Sequence, residues 1–330
     1  MPNMIGSEAA SGVWSINDLR NAKQGLTHFG AFTWGGDRAF VWGGWDNSSV
    51  QSGIDVFSIL VGGSSQEWGN LTLARQGRSG ASNGYRGVMM GGYIAASPNY
   101  GNTIDYVTCS HNANAVDFGD LAEAAWGVHC VTDSVRAVRF TGRNAADSNS
   151  NRLADYVTVM TTSNATSLGD IAQSGRCTRN GASISNAIRG VFAGGYPGAY
   201  GDHIDYITIQ STGNAQTFGS LDNANYVATG AEDDVTGLVM GGNNDSGNSD
   251  MIQTLTVMVP GSEADSGQDL ADAHGHGSSH SDGVHAVATA SSGDLDQMQR
   301  VTVKSLATAV DIGNLATSHG YARGGFSGHG

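Results

Sequence analysis

Lysine is almost missing from this 330-residue chain. Only Lys23 and Lys304 occur, and with 16 Lys+Arg against 30 Asp+Glu the formal net charge is −14. No basic stripe is available to neutralise phosphates, which argues against nucleic acid and anionic lipid surfaces as partners. Proline is scarce, at 4 residues, and charged residues make up only 14%; a helical protein would carry far more Glu and Lys. Cys109, Cys130 and Cys177 are odd in number and lack CxxC spacing, so they signal neither a disulfide framework nor a zinc site and read as buried free thiols. No stretch reaches the ~18 apolar residues that span a bilayer, and the first residues lack a basic start followed by an apolar core. A soluble protein without Sec-type export is expected.

Glycine, by contrast, is abundant. The 49 glycines, with 39% hydrophobic residues, indicate a tightly turned all-β chain. An internal repeat organises it. Ile54-Asp55-Val56, Ile104-Asp105-Tyr106, Ala154-Asp155-Tyr156 and Ile204-Asp205-Tyr206 place an aspartate every 50 residues, and Ile252-Gln253-Thr254 and Met298-Gln299-Arg300 follow as degenerate copies. A second marker resembling Phe-Gly-Asp-Leu ends at Leu71, Leu121, Ile171, Leu221, Leu270 and Leu315, and once more at Leu19. Within one period, Gly80-Ala81-Ser82, the turn Asn83-Gly84 and the apolar run 87–92 make a hairpin signal, followed by strands at 104–108 and 115–121. Four short strands per repeat and no helical apolar stripe predict six four-stranded antiparallel blades of a β-propeller. The second strands should contain 40–43, 88–90, 137–140, 191–193, 238–240 and 286–289.

The order Ala74-Arg75, Gly80-Ala81-Ser82, Gly87 to Gly91-Gly92, Asn102-Thr103-Ile104-Asp105, Phe118 and Asp120-Leu121 resembles the kelch motif of kelch and galactose-oxidase-like propellers. The segment from Tyr106 to Phe118 is longer than in that motif, and its tryptophan is kept only at Trp68. The variant quoted by Ile204-Asp205-Tyr206-Ile207-Thr208 through Phe218-Gly219-Ser220-Leu221 is similar to repeat proteins of tailed bacteriophages, especially of marine hosts. That second resemblance implies a virion localisation and a non-enzymatic structural or binding role, as a tail-fibre or adsorption protein. Its implied partners are other virion or tail proteins, with oligomerisation in the particle, and a host surface glycan or protein. A head-decoration or connector protein is the alternative.

Recurrent polar residues read as scaffold, because catalytic residues are singular. Asp55, Asp105, Asp155 and Asp205 are expected to bond neighbouring backbone or a hydroxyl in the next blade. Gly91-Gly92, Gly194-Gly195 and Gly241-Gly242 are expected to end the second strand near a crowded ring axis. Function is sought where the repeats differ. The long loops 45–53, 93–103, 143–153, 196–203 and 243–251 emerge on one face and carry Trp45, Tyr93, Tyr100, Tyr196 and Tyr200, the candidate ligand-binding residues. The bland reading makes them solvated turns with rings folded back over the blades. His274 and His276 would share one face of an extended strand, as metal ligands must. Polar residues at His28, Arg78, His129 and Arg179, in other copies of that strand, favour a watery channel lining instead. No cofactor is implied, and nucleophile-elbow, phosphate-loop and His-Glu-x-x-His motifs are missing. The enzymatic runner-up is a glycoside hydrolase with paired acids such as Asp147 and Asp202.

The surplus marker at Leu19 gives two candidates, 13–19 and 309–315, for the outer strand of the last blade. The expectation is an extension 1–12, a propeller 13–315 closed by 13–19, and a glycine-rich tail 316–330 displaced toward a neighbour.

Overall fold

The computed structural model describes residues 37–46, 48–77, 80–97, 99–140, 142–144, 153–170, 179–196, 199–261, 263–289, 296–316 and 324–327. Among these residues every regular element is a strand, and none is a helix. They form six four-stranded antiparallel sheets. Each sheet's inner strand neighbours that of the next, and the sixth returns to the first. The chain is a six-bladed β-propeller.

From the axis outward, blade 2 runs Gly80–Ser82, Arg86–Tyr93, Tyr100–Thr108 and Val116–Asp120. The other blades repeat that order. Second strands such as Arg38–Trp42, Arg136–Phe140 and Arg189–Ala193 are buried on both faces after their first residue. Their apolar runs therefore pack between blades: Val138 and Phe140 of blade 3 share a cluster with Phe192, Ile207 and Ile209 of blade 4, and the Phe140 and Phe192 rings lie 4.6 Å apart. Each inner hairpin turns on an Asx motif. The Asn83 Oδ1 accepts from the Tyr85 and Arg86 amides, and Asp133, Asn186, Asp233 and Asp282 repeat this pattern.

Three chemically different circuits tie blade to blade. At the periphery the amide before each outer strand donates to the end of the preceding outer strand: Ala115 to Asn70, Ala165 to Asp120, Ala215 to Asp170, Glu263 to Ser220, Ala309 to Asp269 and Ser65 to Asn314. On the hairpin-turn face, Arg38, Arg86, Arg136 and Arg189 lie over Trp68, Tyr106, Tyr156 and Tyr206 of their own blades. Each donates to a carbonyl of the next blade, at Cys109, Val159, Ile209 and Val257. Arg300 completes the step from blade 6 to blade 1 through Ile59 and Leu60. On the loop face the Asn180 amide donates to Gly127, Val227 to Asn180 and His276 to Val227. Gly127, Asn180, Val227 and His276 all have φ between 58° and 68°. For β-branched Val227 that conformation stores strain of roughly 1–2 kcal/mol, held by the bond it makes.

The repeated aspartates are scaffold in a specific sense. Asp105 accepts from the Thr72 amide and hydroxyl and from Arg75, which reaches it at 2.9 Å. Asp155 accepts from the Ala122 amide and from Arg139 at 2.7 and 2.8 Å. In blade 1, Ser65 relays the bond between the Ala316 amide and Asp55. Gln253 and Gln299 do the same work without charge, each accepting one amide and returning a bond to the carbonyl of the same residue, at Asn223 and Asp272. The degenerate copies are neutral versions of one node.

The glycine pairs are scaffold for a reason other than axial crowding. Gly91 and Gly92 have φ of 58° and 124°, and a Cβ on Gly91 would stand 2.8 Å from the Ala125 carbonyl. The connection between blades crosses over the end of the second strand and takes a bond from the Gly92 amide.

Ring closure corrects the expected assignment of the C-terminal end. Val310–Asn314 is the outer strand of blade 6, and Gly324–Ser327, within the segment assigned to a displaced tail, is the inner strand of blade 1. Phe40 and Phe326 are register partners with rings stacked at 4.8 Å. The glycines are those of a strand in a tight slot: a Cβ on Gly324 would meet the Trp42 indole at 2.0 Å. Segment 13–19 lies outside the described residues.

Candidate functional site

The long loops and the blade-to-blade connections meet on one face. Isolated β-bridges join Gln76 to Tyr93, Trp126 to Arg143 and Tyr226 to Asn243, and the Tyr196 amide donates to the Arg179 carbonyl. This pairing brings side chains from both kinds of segment into one series. Trp45 lies 6.5 Å from Tyr93, and Tyr93 lies 6.1 Å from Trp126, both edge to face. The Arg179 guanidinium follows, 5.5 Å from the Trp126 ring and 5.2 Å from Tyr196. Tyr196 contacts Tyr200 and Tyr226, and Tyr226 contacts His276. Every member is half-buried. The result is an arc of rings running over all six blades.

Hydrogen bonds fix the far end of the arc. Asn180, itself buried, donates to the Tyr226 hydroxyl at 3.2 Å, and the Tyr200 hydroxyl donates to Asn243 at 3.0 Å. At the near end Asp46, next to Trp45, is fully exposed. Its carboxylate is lowered to about 2, first by the Ser48 hydroxyl and then by the Ser49 and Ser48 amides. The arc thus offers ring surfaces, one stacked guanidinium and a carboxylate that stays ionised.

Four of the five aromatic residues singled out in the sequence, Trp45, Tyr93, Tyr196 and Tyr200, belong to this arc. Tyr100 does not: it is the register partner of Tyr93 across the strand pair and lies outside the ring contacts. Trp126 and Tyr226 were not anticipated, while the sequence presents Arg179 as a channel-lining residue and His276 as a metal-ligand candidate. Trp126, Arg179 and Tyr226 sit in the connections directly before the left-handed residues Gly127, Asn180 and Val227, His276 is itself left-handed, and an aromatic followed by glycine, Trp126-Gly127, was the one readable signal.

His274 and His276 do not share a strand face. They precede the inner strand Ser279–Ser281, and His276 has a φ of 65°, which breaks the alternation. His274 is buried, its Nδ1 lies 3.2 Å from the Asp272 carbonyl, and burial lowers its pKa. Among the described residues no three His, Cys, Asp or Glu side chains converge on a point that could hold a metal. His28 and Arg78 lie outside the described residues, and Arg179 belongs to the arc. His129 and His280 do line the axial cavity of about 100 Å³, with Ser183, Ser185 and Ser278. His129 Nε2 accepts the Gly181 amide of the next blade. His280 links blade 6 to the closing strand through Nδ1 and the Phe326 carbonyl, and burial lowers its pKa to about 4.

Asp202 forms a pair with His203 at 3.2 Å, while Asp147 lies outside the described residues. Cys109 and Cys130 are buried and not joined in a disulfide, and burial pushes the Cys109 thiol up to about 12. Cys177 also lies outside the described residues.

No family model matches this chain. No curated protein is similar to it in sequence. The functional reading rests on the residues themselves.

Proposed function

We propose that this propeller is a non-enzymatic binding protein of a virus particle, in which the loop face engages a host surface glycan or protein. The observation that carries the reading is the arc from Trp45 to His276. Ring faces bind the CH faces of sugars, and Tyr hydroxyls and a guanidinium fork supply the polar contacts that orient them. Edge-to-face packing along the arc pre-organises those rings, so little side-chain entropy remains to be lost on binding. Recurrent polar groups elsewhere, from Asp105 to Gln299, are occupied in holding blades together. The virion setting rests on the resemblance of the repeat from Ile204 to Leu221 to tailed-phage repeat proteins; the kelch-like order bears on the fold alone.

Saturable binding of host envelope polysaccharide by the purified protein, without release of oligosaccharide, is the expected result. Trp126→Ala and Tyr93→Ala should each weaken it on the order of tenfold or more. Sustained release of oligosaccharides would make the protein a glycoside hydrolase. No binding of polysaccharide or host protein would leave an architectural role as head decoration or connector.

A further inference from the structure

We propose that the face opposite the aromatic arc is an interface between two copies of this chain. Among the described residues thirteen large hydrophobic side chains are exposed, and ten of them lie on this one face. Five occupy one structural position, the residue before the second strand in successive hairpin turns: Tyr85, Val135, Ile188, Val235 and Val284, each between 38% and 56% exposed. They form a crown around the mouth of the axial cavity. The other five, Leu60, Val61, Met160, Met258 and Val259, follow third strands and stand outside the crown, with Val61 at 85%. Contacts between the two sets of turns place them on one face: Gln210 donates to Asp133, and Lys304 approaches Asp233 at 3.5 Å.

A turn that only needs solvation does not call for Val or Ile at its tip, least of all in blade after blade. Patches beyond a few hundred Å² mark interaction sites on soluble proteins. The exposed parts of these ten residues amount to roughly 1,000 Å², against the ~800 Å² that each partner contributes to a standard stable interface.

Symmetry and charge favour a second copy as the occupant. A two-fold interface requires a patch that matches itself, and a ring of five near-equivalent apolar tips, with Asp37 bonded by Ser58 at the sixth position, does so when turned over onto an identical ring. Like charge offers little opposition. Asp133 and Asp233 each accept backbone amides of their own turn. Asp133 also receives Gln210, Asp233 faces Lys304, and Asp282 is paired with His285 at 3.0 Å. Lys304, 75% exposed, and Asp234, also exposed, put both signs on the face.

The test is the mass of the full chain in solution, by sedimentation velocity over a wide concentration range. The wild type should sediment at twice its 34.0 kDa. Ile188→Asp with Val235→Asp should weaken the dimer on the order of a hundredfold or more while leaving the circular-dichroism spectrum of the folded chain unchanged, because both tips are more than half exposed in the single chain. Val116→Ser with Val310→Ser, on the outer strands, should leave the dimer intact. A wild type that is monomeric throughout overturns the proposal, as does a dimer indifferent to the crown substitutions. A monomer whose crown is covered only when a different protein is added also overturns it and assigns the face to that protein. Polysaccharide binding by the monomeric variant is a separate readout, so failure here leaves the reading of the arc untouched.

Discussion

The Ser65 amide donates to the Asn314 carbonyl at 3.0 Å, and this bond joins the outer strand of the last blade to that of the first. The same joint occurs at the other five blade boundaries. The ends of the ring therefore meet at its edge in the same way as any two consecutive blades, while at its axis they meet through Phe326.

Phe326→Ala should open that axial joint. Phe326 is 4% exposed and packs on Phe40, so truncation should cost about 3–5 kcal/mol, read as a lower midpoint in urea unfolding. Deletion of 324–330 should be more damaging still. A deletion variant with unchanged melting temperature would show that another segment holds the slot.

Arg139 and Asp155 are both fully buried, and removing one leaves the other charged and unpaired. Arg139→Val alone should destabilise by about 3–5 kcal/mol. Adding Asp155→Gln recreates the pairing seen between Val239 and Gln253 in blade 5 and should recover most of the loss. Additive losses in the double variant would refute the neutral-node interpretation.

Glu263 occupies a position that is Ala in four blades and Ser65 in another. It is 5% exposed, neither carboxyl oxygen has a hydrogen-bond partner among the described residues, and burial raises its pKa to about 8. The folded state holds the proton longer than the unfolded state, so stability is complete below about pH 4.5 and declines as pH rises toward 8. Glu263→Ala should stabilise the protein at pH 8, on the order of 1–3 kcal/mol, and leave it unchanged at pH 4. Thermal melts at the two pH values check this.

His280 has the opposite dependence. Its pKa is lowered to about 4 by burial, against the bond to Phe326, so the contribution is complete above about pH 6.5 and is lost as pH falls through 4, up to about 3 kcal/mol. The acid limb of the stability curve should flatten in His280→Gln relative to wild type. Equal limbs would show that other groups govern it.

The fold was legible because the repeat is carried by groups with one invariant task. An acceptor must meet an amide at Thr72, Ala122, Asn223 and Asp272, so Asp or Gln recurs at one place in each blade. The loop half of the arc was legible for a related reason, since antiparallel pairing puts alternate loops on the same face. The connection half was hidden. Trp126, Arg179 and Tyr226 are structurally equivalent but unequally spaced, and their chemistry differs at each copy. The arginine clamps were missed because nothing in the sequence separates Arg86 and Arg136 from any charged residue beside a turn, although their guanidinium groups lie over Tyr106 and Tyr156. The tail was misjudged because composition records how many glycines a segment has and says nothing about which strand lies alongside.

Register partners Phe40 and Phe326 are 286 residues apart. At ~5–20 residues per second of synthesis, the second to fourth strands of blade 1 wait roughly 15–60 s for their inner neighbour. During that interval the Arg38–Trp42 edge, apolar and unpaired on its axial side, is exposed to other nascent chains. Few contacts in the molecule span so much sequence, so the last step of folding is the one with the largest loop to close. Crowded expression should expose this delay as aggregation well before the finished ring shows any weakness.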